Sequence, residues 1–238
     1  MRTTIHLGNA LKGLGICALI GGVTTFLNTM APKFYKATGF DAQMELIYNP
    51  IYAARQWVLL VHPYVTLMLA LGLLLALFHR GPGRTSSAFI FAFAEKMTEF
   101  LLGTLILFVV NGVWKTGYLA GDGLIPAQVY KSRIESFYDL LGGCFFLLWI
   151  MYILSTGLFA ACLKWNNKKE RLIVITSVVT ILLTVCMMLG RYAGQSAWTT
   201  PFIKYGYGPI LTLHRVLIGL WLIQEGRRWA TQKRRSNA

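Results

Sequence analysis

Charge is what this sequence has least of. Asp, Glu, Lys and Arg make up 13% of 238 residues, and only 9 residues are acidic, whereas a soluble domain carries about a quarter of its residues as charges. With a hydrophobic fraction of 55% and a mean hydropathy of +0.54, the chain is too apolar for a water-soluble domain of this length, and a lipid bilayer is its expected solvent.

Also missing are the residue spacings of common catalytic sites: GxxxxGK[ST], HExxH, GxSxG and CxxC do not occur. Their absence counts against P-loop, zinc-protease, serine-hydrolase and thiol-redox chemistry. It does not count against a cytochrome, whose chemistry belongs to the cofactor. Four cysteines, Cys17, Cys144, Cys162 and Cys186, all fall inside apolar runs. With no cysteine-bearing loop to staple, they read as small packing residues. A net charge of +14 does not point to nucleic acid, because the basic residues are spread through short connections and the C-terminal tail rather than gathered on one face.

What the sequence does contain is apolar runs of about 20 residues, each long enough to cross a hydrocarbon core of roughly 30 Å. They predict an all-α, polytopic transmembrane helix bundle in a single domain, with about six spans near 11–31, 57–79, 91–114, 136–163, 172–190 and 207–226. Pro209 suits the first turn of the last span. Longer connections at 32–56, 115–135 and 191–206 are assigned to one face. The first of these mixes Lys33 and Arg55 with Met44, Leu46, Ile47 and Tyr52, an amphipathic pattern suited to an interfacial segment. Small residues in the first span, Gly15, Ala18, Gly21 and Gly22, allow another helix to approach closely. No A-x-A site precedes Pro32, so the first helix is expected to stay uncleaved.

Six spans put both termini on one side. That side carries 14 Lys and Arg, the other 8, and Arg215 within the last span completes the total of 23. The positive-inside rule then places both termini in the cytoplasm, with aromatic loops bearing Tyr118, Tyr130, Trp198 and Tyr205 facing outward. The expected setting is a bacterial cytoplasmic (inner) membrane, with the lipid bilayer and other membrane subunits, or a second copy of the chain, as partners.

A strongly polar side chain at depth is costly unless it is paired or functional, so such residues are the candidates for chemistry. His62 and His214 are predicted at similar depth in the second and sixth spans. Two imidazoles facing each other across a bundle form the ligand set of a low-spin haem b, with His62 and His214 as metal ligands and Arg191 and Arg215 near the propionates. The alternative is that each histidine hydrogen-bonds to a neighbouring helix, with Thr66, Asn111 or Asp139 as partners. A second pair, His6 and His79, fits helix-end solvation better than ligation. Glu95 and Glu99 share a helix face and make a candidate proton site, with Arg80, Arg84 and Lys96 able to satisfy them. Asn111, Lys115, Glu135 and Asp139 form a polar patch suited to a quinone headgroup. The leading expectation is a membrane electron-transfer subunit exchanging electrons with quinone or a partner subunit. Beside it stand a non-catalytic scaffold or accessory subunit of a larger complex, and a small transporter or channel.

Overall fold

A computed structural model describes residues 3–121, 125–192 and 206–236, which form helices and short connections, with no strand among them. In chain order the helices are α1 (Thr3–Met30), α2 (Phe40–Glu45), α3 (Pro50–Leu77), α4 (Pro82–Thr104), α5 (Thr116–Ala120), α6 (Ala127–Ala160), α7 (Lys168–Tyr192) and α8 (Gly208–Ser236). Between α4 and α5 the chain continues as a wider π-helix, Leu105–Lys115.

Five helical stretches are long and apolar enough to cross a membrane: those of α1, α3, α6 and α7, and the continuous run from α4 through α5. The sixth predicted span falls on α8, a helix of 29 residues that carries His214 and Arg215 near its start. The helices extend beyond the apolar windows. α3 begins at Pro50 rather than near 57, α4 at Pro82 rather than 91, and α6 at Ala127 rather than 136. Apolar runs mark where a helix is covered, whereas capping residues mark where it starts. Pro50 and Pro82 occupy first turns, and the Asn49 side chain accepts hydrogen bonds from the Ile51 and Tyr52 amides at 2.9 and 3.1 Å.

Six helices close into a ring. α1 packs on α3, α3 on α4, α4 on α6, α6 on α7, α7 on α8, and α8 returns to α1 along the longest of these interfaces. That last interface is antiparallel and nearly backbone to backbone. A Cβ placed on Gly15 would lie 2.7 Å from the Gly219 carbonyl, and one on Gly219 would lie 2.8 Å from the Gly15 carbonyl. Gly8 and Gly226 repeat this contact two turns away, and only glycine permits such an approach. The seam sets both chain ends at one end of the ring, here the terminal end.

Leu11, Leu73, Leu77, Phe159, Trp221 and Leu222 are packed toward the terminal end. Arg80, just past α3, meets Glu170 on α7 there in a two-pronged ion pair with N–O distances of 2.6 and 3.2 Å. The Lys164 amide and the Asn167 side chain also donate to Glu170. Burial pushes the Cys162 thiol up from its ordinary value, consistent with a packing role. At the opposite, distal end α2 tucks Met44 against Val110 and Ile134. The short helix is thereby anchored to the π-helix and to α6.

Candidate functional site

The interior of the ring is polar at mid-height. At 1.5 Å per residue, His62 lies about 18 Å along α3 and Glu95 about 20 Å along α4. These two helices start from opposite ends, so both residues reach the same zone. Arg215 enters it from α8 and Tyr152 from α6.

Thr24, Thr25, Thr66 and Thr176 around this zone follow one rule. A threonine in lipid donates its proton to a carbonyl of its own preceding turn and keeps its oxygen for other donors. Thr24 and Thr25 both donate to the Gly21 carbonyl. Thr25 then accepts from Nη1 of Arg215, and Thr24 lies 2.7 Å from Nδ1 of His62. Nε2 of His62 is 2.8 Å from the same Arg215 Nη1. Because a guanidinium only donates, Nε2 must accept, and the hydrogen-bond network assigns the ring proton to Nδ1. His62 therefore holds Arg215 through one ring nitrogen and α1 through the other. Pro63, which follows it, has no N–H for the Leu59 carbonyl, and Thr66 donates to the His62 and Pro63 carbonyls at 2.9 and 3.1 Å.

His214 points elsewhere. Its Nδ1 lies 2.9 Å from Thr176 on α7, whose proton goes to the Leu172 and Ile173 carbonyls. The two histidines line different cavities, His62 a large distal one and His214 a small one. Each thus has a threonine partner on an adjacent helix, and neither partner is among the three residues the spacing suggests. Arg191 lies over the Phe145 ring at 5.7 Å, on the α6 side and away from Arg215. His79 meets Trp229 edge-on rather than His6.

Lys96 sits between two carboxylates, with Nζ 2.7 Å from Glu95 and 2.8 Å from Glu99. The sequence suggests Arg80 and Arg84 as further partners at a helix entrance. In the structure α4 starts earlier, so this trio lies within the ring, and Arg80 is taken by Glu170. Toward the distal end, the Tyr52 hydroxyl donates to Asn111 Oδ1 and accepts from Lys115 Nζ, both at 3.1 Å. Lys115 also reaches the Gln43 carbonyl at 3.4 Å. The π-helix turns Asn111 and Lys115 inward together. Asp139 and Glu135 are exposed on α6 and take no part. The connection 191–206 lies almost wholly outside the described residues.

The distal cavity has a volume of about 540 Å³ and is walled by α1, α3, α4, α6 and α8, within the range of small-molecule sites. A smaller cavity of about 60 Å³ continues from it toward the terminal end, past Ser155, Ser177 and His214. Glu95, Lys96, Tyr152 and Arg215 line both, so they form a polar layer between the two. Among the described residues, no group of three or more His, Cys, Asp or Glu is placed to hold a metal ion.

Gln56, Thr24, Thr25 and Tyr152 escape sequence reasoning. Gln56 falls at the edge of an apparent loop, and the hydroxyls look like ordinary membrane-helix residues. A polar side chain in the second turn of a proline-started helix is the signal that would have found Gln56.

No family model matches the chain, and neither curated proteins nor solved structures provide a match.

Proposed function

We propose that this chain is a small membrane transporter in which Glu95, Lys96, Tyr152 and Arg215 form the gate layer between a wide distal cavity and a narrow terminal one. The observation that carries the reading is that these four residues line both cavities. Charges inside a span are retained where they serve a solute or ion path, and alternating access places a binding site between two cavities open in turn. The wide side of the layer is then the loading side.

Two other readings receive less support. His62 has hydrogen-bonding partners at both ring nitrogens, which favours positioning of Arg215 over iron ligation. The small-residue face of α1, the motive for an accessory subunit, is occupied by α8 of the same chain.

Reconstituted into vesicles, the protein should raise the flux of a charged solute above that of protein-free vesicles. Arg215→Gln and Glu95→Gln should remove the increase while circular dichroism shows the helix content kept. Absence of protein-dependent flux across protons, inorganic anions and organic anions would sink the reading. A haem b absorption band lost in both His62→Ala and His214→Ala would replace it with electron transfer.

A further inference from the structure

The charges around the distal cavity do not balance. Arg55, Lys96 and Arg215 stand against Glu95 and Glu99, and both carboxylates are committed to Lys96. Among the described residues, no carboxylate lies within ion-pair distance of Arg215 or Arg55. Arg215, 7% exposed, is held by Thr25 and His62, both neutral oxygen or nitrogen acceptors. Arg55 is held by the Asn28 carbonyl and the Tyr35 hydroxyl. Gln56, 5% exposed, lines the same cavity. The buried Tyr152 hydroxyl faces the same cavity, beside the Thr156 and Thr180 hydroxyls.

A buried guanidinium outside any ion pair, with further polar groups on the same wall, is complementary to an anion. The rest of the wall is apolar, from Leu102, Ile106, Leu141, Phe145, Leu148 and Trp149. We infer that the distal cavity binds an amphipathic anion, with a carboxylate or phosphate head against Arg215, Gln56 and Tyr152 and a hydrocarbon tail along α4 and α6. This deepens the transporter reading by naming its solute class. Asn28 Oδ1, a buried acceptor without a partner on the same wall, suits a head that also carries a hydroxyl.

The test is binding to the whole protein in zwitterionic nanodiscs, read by thermal stabilisation. The probes are dodecanoate, dodecyl phosphate, uncharged dodecanol, acetate and inorganic phosphate. Dodecanoate or dodecyl phosphate should bind at least tenfold more tightly than dodecanol and than the tail-less anions. Arg215→Gln should weaken this binding tenfold or more, Arg215→Lys should restore part of it, and Gln56→Leu should weaken it severalfold. Arg228→Gln, exposed near the terminal end of α8, should leave it unchanged. Equal binding of dodecanol, or of free phosphate, would overturn the inference, as would an unchanged affinity in Arg215→Gln and Gln56→Leu. Anion binding without flux would fail the transporter reading alone, and flux of another solute without anion binding would fail this inference alone.

Discussion

Arg80 and Arg215 are both arginines held within the helix ring, yet they are treated in opposite ways. Arg80 presents two nitrogens to Glu170, whose carboxylate is 1% exposed and collects two further donors. Among the described residues, the Arg215 side chain hydrogen-bonds to a hydroxyl and an imidazole. A closed ion pair ties α3 to α7 and has nothing left to offer a ligand. A cation hydrogen-bonded to neutral groups keeps its field directed into the cavity, where a bound anion would meet it.

This difference can be broken from either side. Arg80→Leu leaves Glu170 buried without its cation and should cost about 3 to 5 kcal/mol, measured as a shift in denaturant unfolding followed by tryptophan fluorescence. The double replacement Arg80→Leu with Glu170→Leu should recover most of the loss, because stranding one partner is what costs. Next comes the seam between α1 and α8. Gly15→Leu forces its side chain against the Gly219 backbone and should destabilise by about 1 to 3 kcal/mol. It should weaken anion binding as well, since the displaced α1 carries Thr25. The smallest change in stability belongs to Arg215→Met. Thr24, Thr25 and His62 keep other partners, so stability should stay within about 1 kcal/mol of the parent while anion binding is lost. A loss as large as that of Arg80→Leu would mean that Arg215 is a structural ion-pair member and would erase the contrast.

The sequence makes the helices readable because covering about 20 residues in lipid leaves a long uniform signature, as at Leu172–Gly190 in α7. Helix ends are less readable, since Pro50 and Pro82 start helices in polar surroundings where hydropathy gives no cue. The depth of His62 and Arg215 follows from counting along a span. Their partners do not, because Thr24 and Thr176 belong to other helices whose rotation is fixed only when the ring closes. Lys96 illustrates the same limit. Its two glutamates are visible as sequence neighbours, but whether the trio faces headgroups or the interior depends on where α4 begins. Gln56 is hidden by an apparent loop whose end is the first two turns of α3.

The glycine seam joins two helices far apart in the order of synthesis. During synthesis α1 enters the membrane long before α8 exists, so its glycine flank must wait in lipid or against insertion machinery until α8 has been made. The ring is therefore sealed only once α8 has entered the membrane, and a chain truncated before Gly208 presents an unsealed α1 to the cell's proteolytic surveillance.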